Sequence, residues 1–141
     1  MNRSTAPDWG AAVLRWSLGV MYLSHAWLKV GVFTLPGTVK FFEGVGLPGA
    51  LVYPVVAAEI TGGIALLLGV WTRQVAFALI PVLLGAAWVH WPNGWVFNAN
   101  GGGWEYPVFL AVVSIVSGLL GEGRFALRPG TPLASAQGAV R

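Results

Sequence analysis

The sequence predicts an all-α membrane protein, a bundle of four transmembrane helices with a short interfacial helix in its first outer loop. Three observations predict it. The mean hydropathy is +0.71. Only 9% of the 141 residues are charged, against about a quarter in a soluble domain. And the apolar residues gather into four runs, each approaching the roughly 20 residues that a helix needs to cross a bilayer.

The first run, about Ala11 to Phe33, carries Arg15, His25 and Lys29 and therefore cannot face lipid all round. At about 100° per residue, Arg15, Gly19, Tyr22, His25 and Lys29 share an arc of about 120°, so this stripe points into the bundle. The second run, about Leu51 to Trp71, contains Glu59 well inside one end and stops at Thr72-Arg73-Gln74. So short a turn makes the third run, Val75 to Trp91, its antiparallel neighbour, and Pro81 should kink that helix. The fourth runs from about Tyr106 to Leu120. Small residues four apart, Ala58 and Gly62, Ala65 and Gly69, Ser114 and Gly118, and Ser117 and Gly121, allow close helix approach within the bundle or on a homodimer face.

Between the runs, Pro36 and the stretch Thr38 to Gly44 predict the interfacial helix. Pro92 to Trp104, with Asn98, Asn100 and three consecutive glycines, reads as a flexible aromatic and amide cap. The expected domains are an N-terminal cytoplasmic segment 1–10, a helical domain 11–123 and a disordered cytoplasmic tail 124–141. No signal peptide is expected from the polar first ten residues. Arg3, Arg15, Arg73, Arg124, Arg128 and Arg141 fall on one side of this scheme and Lys29 and Lys40 on the other, which predicts both termini inside. The tryptophans divide likewise: Trp9, Trp16 and Trp71 at the inner interface, and Trp27, Trp88, Trp91, Trp95 and Trp104 at the outer one.

The net charge is +3, but no Lys/Arg cluster exists to suit nucleic acid. Cysteine is absent, which excludes disulfides, thiolate ligands and thiol relays. A charge in hydrocarbon costs about 2.5 kcal/mol or more unless it meets a partner. At about 1.5 Å of rise per residue, Lys29 and Glu59 both lie about 21 Å above the inner arginines, and this makes them the natural ion pair. It reads as a buried bridge that specifies packing or as a functional pair. His90, at about 25 Å, and Glu105, at about 28 Å, form the second expected pair. The alternative for His90 is a hydrogen bond to a loop carbonyl. His25, at about 15 Å, lies about 10 Å from the level of His90, so b-type haem is not expected. Metal binding has no short-spaced ligand motif to support it. A quinone suits the residues better: Tyr22, Trp27 and Trp88 would line a slot for the ring, His25, Lys29 or His90 would hydrogen-bond a carbonyl, and Glu59 would handle protons. Glu105 joins this expected binding set, with Glu59, His90 and Lys29 as the catalytic candidates.

Taken in order, Arg15, Gly19, His25 and Lys29, then E-x-x-G-G-x-x-L-L-L-G-x-x-T-R from Glu59 to Arg73, His90, a Gly-rich loop before Glu105, and Gly121-x-Gly123 resemble the DoxX family over residues 11–128. The resemblance implies a four-helix bundle in the bacterial cytoplasmic membrane. It also implies a subunit of a quinone-linked oxidoreductase, associated with thiosulfate oxidation or oxidative stress and with membrane or soluble redox partners. The alternatives are a scaffold that recruits soluble redox proteins and a small-molecule or ion carrier.

Overall fold

A computed structural model describes residues 5–127. Among them the regular structure is helical: α1 (Ala6–Trp27), α2 (Leu35–Gly44), α3 (Val52–Leu68), α4 (Thr72–Ala78), α5 (Ile80–His90) and α6 (Glu105–Leu120). Thr5 and Asp8 open α1. The Asp8 carboxylate accepts from the Thr5 backbone N–H at 2.8 Å and from its hydroxyl at 3.0 Å, which satisfies a donor that a helix start otherwise leaves free.

Two segments, Gly49–Leu68 and Thr72–Asn93, are long and apolar enough to cross a bilayer, and a third is available if Ala6–Val32 and Leu35–Gly44, bent by 101°, are one span. Of the four spans expected from the sequence, two are thus matched by long apolar segments and a third only if the bent pair counts as one. At 16 residues α6 rises only about 24 Å. Pro81 breaks the third segment as expected: it lacks an N–H and crowds the preceding turn, and the helix is interrupted at Leu79.

α1 lies along α3, and α6 packs against α4 and α5. The α1–α3 crossing is made by two glycines. A side chain on Gly19 would meet Leu67 at 2.8 Å and the Gly63 carbonyl at 3.0 Å, and one on Gly63 would meet Leu23 at 2.8 Å and the Gly19 carbonyl at 3.1 Å. Small residues are what let backbones approach this closely. Gly62 receives Leu79 from the α4–α5 break, and Gly118 receives the Phe77 ring. Leu18, Tyr22, Leu66, Ala76, Leu79, Leu83 and Leu110 form the core between these helices.

The interfacial helix is present as α2. Thr34, at φ 64°, makes the corner, and its hydroxyl accepts from the Gly37 N–H. Pro36 sits at the helix start, where a missing N–H is harmless. The end of the first helical run departs from α geometry, with Leu28–Val32 forming a π-helical turn. The Thr38 hydroxyl donates to the Lys29 carbonyl at 2.9 Å across the corner, so the widened turn is tied to α2.

Two expectations change at the ends. The start of the expected tail is part of the fold. The Arg124 N–H donates to the Asp8 carbonyl and the Leu127 N–H to the Leu68 carbonyl, while Phe125 lies 5.6 Å from Trp9 and 6.1 Å from Trp16 between ring centroids. Residues 1–4 and 128–141, including Arg3, Arg128 and Arg141, lie outside the described residues. Arg15, counted in the sequence among the arginines of the inner side, is not a surface charge. It is fully buried, and its guanidinium donates to the carbonyls of Leu66, Leu67, Glu122 and Arg124. These carbonyls lie at the end of α3 and in the turn after α6, and a cation suits a helix C-terminus.

Candidate functional site

The polar stripe of α1 faces inward, as its periodicity predicts. Arg15, Gly19 and Tyr22 are buried, and His25 and Lys29 are half-buried. Past Arg15 the stripe enters a cavity of about 600 Å³ enclosed by α1, α2, α3, α5, α6 and the 94–104 loop. Its lining is mostly apolar: Phe41 and Phe42 from α2, Val55 from α3, Leu83 and Ala86 from α5, and Pro107 and Leu110 from α6. Into this wall project Tyr22, His25, Lys29, Glu59, His90 and Tyr106. The size lies within the usual range for small-molecule sites, as does the balance of a few polar groups among many apolar ones.

The Lys29 ammonium lies 2.7 Å from one oxygen of Glu59 and 2.9 Å from the other, with the carboxylate side chain 4% exposed and the lysine 20%. The carboxylate is thus compensated, while the ammonium keeps part of its surface toward the cavity. Two features place the lysine: the π turn, which shifts its side chain relative to a regular helix, and the Thr38 bond, which holds its carbonyl. The Tyr22 hydroxyl lies 3.2 Å from Ser114 Oγ and the Tyr106 hydroxyl donates to Met21 Sδ at 2.8 Å, so both phenols tie α1 to α6. The His25 ring stands 6.2 Å from that of Tyr106.

Two expectations do not hold in this geometry. His90 and Glu105 form no pair. His90 Nδ1 lies 3.0 Å from the Gly101 carbonyl, the loop-carbonyl alternative, whereas Glu105 starts α6 away from the cavity, where the helix dipole favours a carboxylate. Trp27 and Trp88 do not line the slot. They are 66% and 60% exposed, and Trp88 instead borders a shallower hollow with Trp91 and Pro92. The aromatic walls are Phe41, Phe42, Phe97 and Tyr106, which the sequence hid among many similar residues. Among the described residues no three of His, Asp and Glu approach closely enough to share a metal ion.

The 94–104 loop, expected to be flexible, is pinned over the cavity. The Trp104 N–H donates to the Gly94 carbonyl at 3.1 Å and that of Glu105 to Trp95 at 3.0 Å. Trp104 stacks on Trp91 and receives the edge of Trp95, each at 4.5 Å between centroids. Asn93 Nδ2 donates to the carbonyls of Gly101 and Gly102. Gly103 must be glycine here, because a Cβ would strike the carbonyls of Trp95 and Val96.

Comparison with known proteins agrees with the resemblance in the sequence. The chain matches the DoxX family over residues 10–91. It is 31% identical over 130 residues, 92% of this chain and 90% of the relative, to a Bacillus subtilis (strain 168) protein named "Putative oxidoreductase CatD". It is 32% identical over 69 residues to "Inner membrane protein YqjF" of Escherichia coli (strain K12), a match that covers about half of each chain. No solved structure matches it. With its apolar helices, its buried Lys29–Glu59 pair and matches of this extent, the chain is a membrane protein of the DoxX family.

Proposed function

We propose that the chain crosses the bacterial inner membrane four times, as α1, α3, α4–α5 and α6, and serves as a quinone-binding subunit of an oxidoreductase. The observation that carries this reading is the cavity itself, an apolar chamber whose polar groups are the Lys29–Glu59 pair, two imidazoles and two phenols. A quinone ring needs apolar walls on its faces and donors at its carbonyl oxygens. The Lys29 ammonium and the His25 imidazole, four residues apart, would hold one oxygen, and His90 is a further hydrogen-bonding group in the same lining. When bound, a quinone supplies two-electron, two-proton redox chemistry. Glu59 keeps a proton acceptor at the cavity wall, Lys29 holds that carboxylate in place, and Phe42, Val55 and Leu83 keep bulk water away.

With no cysteine in the chain, electrons come through a partner subunit or a soluble partner, from a sulfur-linked or oxidative-stress-linked donor. Arg15, Arg73 and Arg124 gather at the end opposite the cavity, and this supports a cytoplasmic position for that end, with the cavity in the outer half. Similarity to a protein named for the inner membrane and to one named as an oxidoreductase supports location and class.

The test is mass analysis of small molecules extracted from wild-type and Glu59→Gln protein in mild detergent, with ultraviolet spectra before and after borohydride. A near-stoichiometric quinone in the wild type that falls in the variant is the expected result. No quinone in either, with the fold intact, would move the reading to a scaffold for soluble redox partners.

A further inference from the structure

The cavity has a mouth, and its position is unusual for a water-filled site. α3 meets α4 through Gly62 and Leu79, but beyond the break at Leu79 the chain leans on α6 instead, and α3 and α5 part. The space between them is cavity. Six lining residues are exposed: Phe41 and Leu51 ahead of α3, Pro81 and Gly85 on α5, Phe97 in the 94–104 loop and Tyr106 at the start of α6. The four beside α3 and α5 are apolar, and Tyr106 alone of the six carries a polar group, its hydroxyl, which donates to Met21. Glu59, by contrast, is 3% exposed at the back of the chamber. A molecule lying in this site therefore has its polar end inward and its remainder directed out through an apolar gap.

Gly85 is the residue that the fold itself does not explain. Glycine is among the poorest helix formers, and the glycines at the helix crossings are each required by a neighbour, while Gly10, likewise unopposed within α1, does not line the cavity. A Cβ would meet an atom at 2.7 Å on Gly62 and at 2.8 Å on Gly19, Gly63 and Gly118. On Gly85 it would meet nothing within 4 Å. What the missing side chain leaves free is the mouth.

We propose that the cavity opens sideways between α3 and α5 into the membrane hydrocarbon, and that Gly85 keeps the opening wide enough for the hydrocarbon tail of the bound molecule to lie through it. This rests on the reading that a membrane-soluble ring compound occupies the chamber. It adds that the ligand is tailed, and that it enters from the lipid rather than from water.

Because the chain has no cysteine, Gly85→Cys introduces its sole thiol. In lipid nanodiscs, the full chain carrying Gly85→Cys is labelled with pyrenyl maleimide and with a charged sulfonated maleimide, and Asn98→Cys in the exposed loop serves as reference. The apolar-to-charged rate ratio at position 85 is expected to exceed that at 98 at least tenfold. An equal or lower ratio means a wet mouth and overturns the proposal. In parallel, quinone content is measured in Gly85→Ala and Gly85→Phe. The first should match the wild type and the second should fall at least tenfold. Unchanged content in Gly85→Phe overturns the tail passage while leaving the quinone reading intact. Tenfold preference for the apolar label with no quinone in the wild type supports the sideways mouth and sinks the quinone reading.

Discussion

Lys29 and Glu59, 30 positions apart in the chain, meet with the ammonium within 2.9 Å of both carboxylate oxygens at the wall of the cavity of about 600 Å³. Breaking the pair from one side leaves a buried charge uncompensated. Lys29→Met alone and Glu59→Leu alone should each lower stability by about 3–5 kcal/mol, whereas the two together should recover most of the loss. Denaturation in detergent measures this cycle. Quinone content of the stable double variant then separates the two roles of the pair: it should be lost if the pair serves the ligand and retained if the pair only specifies packing.

Arg15 organises the opposite end. Its flat guanidinium reaches four carbonyls on two segments, a fan that the single ammonium of lysine cannot cover. Arg15→Lys should lower stability by about 2 kcal/mol or more, and it should speed proteolysis of residues 122–127, which depend on it. Equal digestion of variant and wild type would show that the C-terminal turn is held by Phe125 and the N–H of Leu127 instead.

The α1–α3 crossing tolerates no side chain. Gly63→Leu should cost about 1–3 kcal/mol through overpacking against Leu23 and the Gly19 backbone. Gly85→Leu, whose side chain meets open space, should be neutral or mildly stabilising toward unfolding. Thermal unfolding of the two variants side by side is the measurement, and equal loss in both would refute the assignment of Gly63 to a tight crossing.

Trp104 holds the loop over the cavity through two ring contacts, each worth about 0.5–1.5 kcal/mol. Trp104→Ala should raise amide hydrogen exchange at residues 94–105, the N–H groups of 104 and 105 above all, and leave α3 unchanged. Exchange that stays slow would mean that Asn93 and the backbone pairing suffice.

Much of this was legible in the residues. An apolar run declares a helix in membrane wherever it folds, because backbone hydrogen bonds in lipid must close within the segment. A buried charge demands a partner, and a fixed rise per residue sets its depth, so Lys29 could be matched with Glu59 from numbering alone. The inward stripe of α1 followed from its period. Tyr22, His25 and His90 reach the cavity for the same reason.

The chain by itself thus determined the helices, their membrane character and the Lys29–Glu59 ion pair, since each depends on local composition or on depth along an axis. Tertiary structure alone decided how each helix is rotated about that axis and which backbone groups are left over. Rotation put Trp27 and Trp88 outside the cavity and Phe41, Phe97 and Gly85 at its edge. Backbone carbonyls drew Arg15 to Leu67 and Glu122, and His90 to Gly101. Every residue carries a carbonyl, so residue type does not mark which ones remain unpaired; only the packed helix ends do.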